Sequence, residues 1–456
     1  MDTAPHHWAS EAFFYHIYPL GFCGAPVRND FCSAPVARLD QVKEWIPHMR
    51  SMGVNALYLG PVFESSVHGY DTVDYYHVDR RLGEDQTLSQ LSADLHRNDI
   101  RVILDGVFNH VGRDFWAFYD VRQHGPSSPY CNWFQGLRFG SQSPYGDPFV
   151  YDGWNGHYDL VKLNLANPEV KTHLFEAVRR WMQSFDIDGL RLDAADCIDI
   201  AFLQELRSFT HSLRPDFWLM GEVIHGDYRR WINPATLASV TNYECYKGLY
   251  SSHVDKNYFE IAYSLDRQFG PAGMYRGAPL YNFADNHDVN RVASQVGNPA
   301  HLVPLYSLLF TMPGIPSIYY GSEWGLAARR TANDDSPLRP YLNLSDVVAH
   351  APQPHLPGVI ARLAAIRQGS SALKYGDYRQ LYVAPEQFAF TRRSEQEYVL
   401  VAVNAASGPA RLELALPFPA SQATDLLDPG SVFFASNGKL ILDPVPPGWA
   451  RILKLI

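Results

Sequence analysis

Eight short apolar runs constrain this chain more than any other feature. They lie at 13–20 (FFYHIYPL), 56–62 (ALYLGPV), 101–109 (RVILDGVFN), 189–195 (GLRLDAA), 217–223 (FWLMGEV), 239–246, 280–286 and 317–321. Near-continuous apolar runs of this length suit strands that are covered on both faces, as in a parallel sheet. The stretches between them read as helices. Leu39, Val42, Ile46 and Met49 fall on one helical face, with Gly53 as a stop at the C-terminal end. Leu88, Leu91 and Leu95 repeat the spacing. Asn167, Pro168 and Glu169 form a helix start: an N-cap, a proline in the first position and an acid in the first turn. That helix continues through Leu174, Val178 and Trp181. Eight strands alternating with helices over roughly 360 residues predict an α/β fold, a (β/α)8 TIM barrel.

Two segments depart from the rhythm. Residues 111–166, after the third strand, are rich in Gly, Pro and aromatics, including Trp116, Tyr130, Trp133, Phe134, Tyr151 and Trp154. A loop this long is usually functional, and it reads as a small excursion domain forming one wall of a cleft. After about residue 370 the pattern changes to short alternating strands separated by turn residues, as at 398–403 and 411–416. These predict a C-terminal antiparallel β-sandwich. The expected organisation is a barrel over 1–110 and 167–368, an excursion domain over 111–166 and a sandwich over 369–456. The uncharged stretch 302–321 is long enough to cross a bilayer. Pro304, Pro313, Gly314 and Pro316 interrupt it, so it reads as a buried helix, a turn and a buried strand at 317–320.

Composition narrows the function class. Of 456 residues, 46% are hydrophobic and 19% charged, which suits a large buried core and excludes disorder. The formal net charge of −10 gives no pull toward nucleic acid or anionic lipid and suits a neutral substrate. Aromatic rings, at 14%, serve sugar stacking and a large core equally well, and composition alone favours the core. The cysteines Cys23, Cys32, Cys131, Cys197 and Cys245 are odd in number and lack CxxC spacing, unlike a disulfide framework or a zinc site. The start, MDTAPHHWASEAFFYHIYPL, has no basic region followed by an apolar one. The expectation is a cytoplasmic protein without a signal peptide or membrane span.

In barrels of this kind, active sites form where strands end at the C-terminal face. Polar residues close four of the predicted strands: Asp105 to His110, Arg191 to Asp193, Gly221-Glu222, and Asp285 to Asp288. A single carboxylate there would serve an ion pair. Several converging on one mouth have no good structural purpose, because like charges repel.

These segments, DGVFNH, GLRLD, GE and DNHD, closely resemble in order the signature regions of the alpha-amylase superfamily of glycoside hydrolases. The resemblance covers nearly the whole chain, and it assigns roles. Asp193 matches the nucleophile that forms a covalent glucosyl intermediate, and Glu222 the general acid/base; two such carboxyls close together give net retention. Arg191 should lower the pKa of Asp193, while burial among carboxylates should keep Glu222 protonated. Asp288 matches the third catalytic carboxylate, which grips sugar hydroxyls. His110 and His287 match a pair that hydrogen-bonds the same sugar. In the segment His68-Gly-Tyr70-Asp71-Thr72, Tyr70 matches an aromatic platform, and Asp71 stands with it among the substrate-binding residues implied, as do Arg191 and His225. Asn109 matches a position that in many members binds a structural calcium, although the chemistry requires no cofactor.

Within the superfamily, Leu160-Val-Lys162-Leu-Asn164, the spacing Glu222…His225…Trp231 and the stretch 239–243 resemble the neopullulanase, cyclomaltodextrinase and maltogenic amylase group. That group usually carries an extra N-terminal domain that builds a dimer. Here the first strand begins near residue 13, and the expectation is a monomer with a more open cleft. Asp196-Cys197 replace the pairs usual after the nucleophile, on the side of the leaving group. The exit at Asp334-Asp335…Arg339-Pro340 lacks a tryptophan common in that group. The implied activity is hydrolysis of alpha-1,4-glucosidic bonds in maltooligosaccharides, cyclodextrins or related alpha-glucans. A glucanotransferase using the same site and a non-catalytic sugar-binding barrel are the alternatives.

Overall fold

The structure, a computed structural model, describes residues 7–332 and 334–456; the first six residues, part of the start on which the expectation of no signal peptide rests, lie outside it. Each of the eight apolar runs overlaps a strand, the last beginning two residues before its run. These are β1 (Phe14–Ile17), β2 (Ala56–Leu59), β3 (Arg101–Gly106), β4 (Gly189–Leu192), β5 (Trp218–Gly221), β6 (Ser239–Val240), β7 (Tyr281–Phe283) and β8 (Ile315–Tyr319). They form one sheet in the order β6-β5-β4-β3-β2-β1-β8-β7. All neighbours run parallel. A further parallel bridge, Thr241 to Tyr281, joins the two ends and closes the barrel.

Alternate residues on a strand share a face, and the two faces have different partners. Phe14, Tyr58, Ile103, Trp218, Met220, Tyr281, Phe283 and Ile315 pack together as one buried cluster inside the barrel. Leu57, Leu59, Val102, Leu104, Leu190 and Leu192 join the larger core beneath the helices. This two-sided burial is why the strands read as unbroken apolar runs.

Two expected elements come out differently. Of the run 239–246, only Ser239–Val240 is a strand. Asn242 caps a helix instead, its side chain accepting from the Cys245 N–H, and Tyr243–Val254 is helical (α3 below). The helix read through 39–49 is broken into Asp40–Glu44 and Ile46–Ser51, with Pro47 in the first turn of the second piece; proline lacks the N–H that would continue the ladder. The remaining helices that position the site are α1 (Asp85–Arg97), α2 (Pro168–Ser184), α3 (Tyr243–Val254), α4 (Phe259–Phe269) and α5 (Leu302–Thr311). Asn167 caps α2 by accepting from Glu169 and Val170. Every residue of α5 is buried. Gly314, at φ +110°, turns the chain into β8. Among the described residues no helix is long and apolar enough to cross a membrane.

Between β3 and β4 the chain makes a three-stranded antiparallel sheet from His110–Gly112, His157–Lys162 and Gly153–Trp154. Its helix Trp116–His124 docks Phe118 edge-on against Phe134, Phe149 and Tyr151. Beyond residue 376 an eight-stranded antiparallel sheet folds on itself. Leu400, Ala402, Leu412, Leu414, Leu440, Leu442 and Leu453 fill its interior, while Phe388, Phe390, Val401 and Ile452 join the barrel's core. Two buried arginines tie these parts together at the carboxyl end of α5. Arg367 donates to Phe310 O and Gly314 O, and Arg392 donates to Thr311 O. Cations at that position meet the last free carbonyls and the negative end of the helix.

Candidate active site

The inward face of the barrel carries the site by simple continuation. On β4 the inward residues run Gly189, Arg191 and, one step past the strand, Asp193. On β5 they run Trp218, Met220 and then Glu222. The ladder continues far enough to fix both acids: Asp193 N donates to Gly106 O at 3.1 Å and Glu222 N to Leu192 O at 2.9 Å. Asp105 is the register partner of Arg191 on β3. One guanidinium therefore meets three carboxylates. Arg191 Nη1 lies 2.9 and 3.0 Å from the two oxygens of Asp105 and 3.0 Å from Asp193 Oδ1, and its Nη2 lies 2.8 Å from Glu222 Oε2. Asp105 also accepts from the hydroxyls of Tyr58 at 2.8 Å and Tyr70 at 3.1 Å. All of these groups are buried.

Three buried acids around one cation cannot all be ionised cheaply. Burial pushes Asp105, Asp193 and Glu222 above the usual carboxylate range, Asp193 well above it. Arg191 acts downward on each, as the sequence suggested for Asp193, but burial outweighs it there, and the charges on Glu222, Asp105 and Asp288 add to burial. The three acids lie too close to titrate independently. Asp105 accepts from Arg191 and two tyrosines, bonds that favour its ionised form against burial. Glu222 accepts from Ala194 N at 3.2 Å, and the Tyr243 hydroxyl stands 3.3 Å from its Oε1. Ala194, directly after Asp193, sits at φ 44°, ψ 43°. Only glycine adopts this left-handed region without strain, and here the strained turn aims an N–H at Glu222.

A second group faces the first. His287 Nε2 lies 3.0 Å from Asp288 Oδ2 and within hydrogen-bonding distance of the Tyr70 hydroxyl, and the Tyr70 and His287 rings stack at 5.4 Å. Burial, with Arg339 and Arg191 nearby, holds His287 well below its usual pKa. His110 is pushed down to about 3 by burial, and its Nε2 stands 3.7 Å from Asp193 Oδ2. Both imidazoles are neutral at ordinary pH. Each keeps one ring nitrogen, His110 Nε2 and His287 Nδ1, without a hydrogen-bond partner among the described residues. Asp288 is half-exposed and is held by Arg339 Nη2 at 2.8 Å. Arg339 also donates to His287 O and lies over the Tyr18 ring.

Three of the residues read from sequence stand apart from this cluster. Asp71 is engaged within its own turn, Oδ1 accepting from His68 N at 3.0 Å and Gly69 N at 3.1 Å; it positions Tyr70 rather than facing the acids. His225 is exposed and lines a cavity beyond Tyr243. Asn109 is buried with its amide nitrogen 3.1 Å from His110 Nδ1. Calcium takes six to eight oxygen ligands, and among the described residues no group of three or more His, Cys, Asp or Glu side chains is arranged to hold a metal. Asn109 lines a cavity with Gln135, Asn164, Asp196 and Asp199. Asp196 and the exposed Cys197 border this cavity, of about 470 Å3, shared with Asn164 and Arg230. Sequence reasoning missed Asp105, Arg339 and Tyr243 as parts of the site. Asp105 carried a signal, since it is an acid on the inward face of a barrel strand.

Comparison with known proteins agrees with this geometry. Residues 17–342 match the family described as alpha amylase, catalytic domain. A cyclomaltodextrinase from a Bacillus species is 30% identical over 419 residues, which cover 88% of this chain and 74% of that protein. A solved cyclomaltodextrinase superposes with a TM-score of 0.87 at 27% identity, covering 99% of this chain and 79% of that one. A cyclic alpha-maltosyl-(1→6)-maltose hydrolase from Arthrobacter globiformis superposes with a TM-score of 0.82 at 26% identity, covering 98% of this chain and 99% of that one. The chain belongs to the alpha-amylase family of glycoside hydrolases.

Proposed function

We propose that this enzyme cleaves alpha-1,4-glucosidic bonds in maltooligosaccharides, cyclodextrins or related alpha-glucans with retention, using Asp193 as nucleophile and Glu222 as general acid/base. The observation that carries the assignment is Arg191. Its guanidinium holds one oxygen of each carboxyl, at 3.0 and 2.8 Å, so both acids reach one bond. In the first step Glu222 gives its proton to the glycosidic oxygen, that C–O bond breaks, and an Asp193 oxygen bonds the anomeric carbon. In the second, Glu222 takes a proton from water, the water oxygen attacks the same carbon, and the ester to Asp193 breaks. The pull of Arg191 toward ionised Asp193, and the rise that burial and Asp288 give Glu222, support this division between a charged nucleophile and a neutral acid. The free ring nitrogens of His110 and His287 support their roles as hydrogen-bond partners of the sugar, with Asp288 beside them. The names of the relatives, cyclomaltodextrinase and cyclic maltosyl-maltose hydrolase, support small alpha-glucans as the substrate class. The reading includes a monomer acting in the cytoplasm. The five cysteines are all free, which suits a reducing compartment, and sedimentation measures the first point.

The test is a product time course on maltoheptaose, a cyclodextrin and pullulan side by side. Small sugars should appear, with the alpha anomer first by NMR. No product from any of the three overturns the reading, and products longer than the substrate would make the enzyme a glucanotransferase.

A further inference from the structure

Helices α3 and α4 lie side by side just beyond the candidate acid. Their approach depends on Gly248, where a Cβ would stand 3.2 Å from Ile261 Cα. On α4, Glu260, Tyr263 and Arg267 fall at helical spacing on one face. With Tyr243 and Lys247 of α3 they line a cavity of about 710 Å3, which His225, three residues past Glu222, also lines. That volume lies within the range of roughly 300–1,000 Å3 typical of ligand pockets, on the order of two or three glucosyl units. Tyr243 is the link to the chemistry, since its hydroxyl stands 3.3 Å from Glu222 Oε1 and accepts from Asn286 at 3.1 Å. At the far end Tyr263 is 68% exposed, an aromatic ring presented to solvent.

The charges in this groove cancel locally. Lys247 lies 3.9 Å from Glu260, and Arg267 pairs with Glu244. A groove with paired charges and an open aromatic face suits a neutral, polyhydroxylated ligand, whose C–H faces stack on rings and whose hydroxyls meet ionic groups. Its position gives the direction. A general acid faces the leaving oxygen, while the nucleophile attacks from across the sugar ring. A groove walled by Tyr243, whose hydroxyl meets Glu222, and by His225 lies on the acid's side and hence toward the leaving group.

We infer that the groove between α3 and α4 carries the leaving-group end of a long or branched alpha-glucan, with Tyr263 as its distal stacking platform and His225 near the scissile bond. This rests on the reading of Glu222 as general acid. Long substrates gain from the groove; short ones do not reach it.

The test compares kcat and KM of the full chain and its Tyr263→Ala variant on maltoheptaose and maltotriose. The ratio of kcat/KM for the long over the short substrate should fall about three- to tenfold, through KM, the worth of one stacking contact. Tyr263→Phe, which keeps the ring, should keep the ratio. An unchanged ratio in Tyr263→Ala, or an equal fall on both substrates, overturns the groove while leaving the catalytic assignment standing. A wild-type chain inactive on both substrates removes the catalytic reading and the groove with it, and shows before any variant is made.

Discussion

Asp105 and Arg191 are register partners on adjacent barrel strands, and Arg191 Nη1 lies 2.9 and 3.0 Å from the two oxygens of Asp105. That pairing aims the guanidinium, whose remaining reach goes to Asp193 and Glu222. Asp105→Asn keeps the shape but removes the charge that fixes the cation. The expected result is a loss of about 2–4 kcal/mol of stability in urea denaturation and a fall of about 100-fold in kcat/KM. Wild-type rates in the variant would show that Arg191 needs no anchor.

Asp193 and Glu222 can be told apart chemically. Asp193→Ala and Glu222→Gln should each lower kcat by roughly three to five orders of magnitude. Azide added to Asp193→Ala can enter from the side of the missing carboxylate and leave a beta-glucosyl azide. Azide added to Glu222→Ala can only replace water in the second step and leaves the alpha anomer. NMR of the azide products reads the assignment, and the opposite anomers would exchange the two roles.

The pH dependence follows from the surroundings of Glu222. Burial raises its pKa, Arg191 opposes that, and Asp288 adds to the rise. A general acid works below its pKa, so the alkaline limb of kcat/KM lies above the ordinary glutamate value. Asp288→Asn removes a neighbouring negative charge. Ionised Glu222 then costs less, its pKa drops, and the alkaline limb of the residual activity moves toward acid. A limb that stays in place or moves the other way would mean that another group sets it.

Ala194 is held at φ 44° so that its N–H meets Glu222. Ala194→Gly relieves that strain and adds freedom to the unfolded chain. The balance should be a gain of about 0.5–1 kcal/mol in urea denaturation.

We expect calcium to be dispensable, because among the described residues no group of three or more His, Cys, Asp or Glu side chains is arranged to hold a metal. Melting curves with and without excess EGTA should agree within about 1 °C, since a bound ion stabilises by mass action. A drop of several degrees would place an ion that the side chains do not reveal.

Much of the barrel was legible because burial on both faces leaves a plain mark. The runs at 56–62 and 101–109 are apolar whichever way a side chain points. The run 239–246 misled for the same reason. Its apolar tone comes from Tyr243, Cys245 and Tyr246 on a helix packed against Phe283, and the cap at Asn242 was the better signal. The acids at strand ends were visible because charge is rare there. Arg339 was not, since it reaches Asp288 across 51 residues from a loop without periodicity. Tyr243 was hidden too: a tyrosine at a helix start shows nothing of the carboxylate its hydroxyl will face.

The origin of Arg339 has a consequence for how such an enzyme can change. Arg191, Asp193 and Glu222 ride on neighbouring barrel strands or one residue past their ends, whereas the cation that holds Asp288 comes from the loop after β8. Substitutions, insertions or deletions in that loop can alter how tightly a sugar is gripped without displacing the two groups that make and break the bond. New preferences for chain length or branching can arise there while the reaction itself is inherited intact.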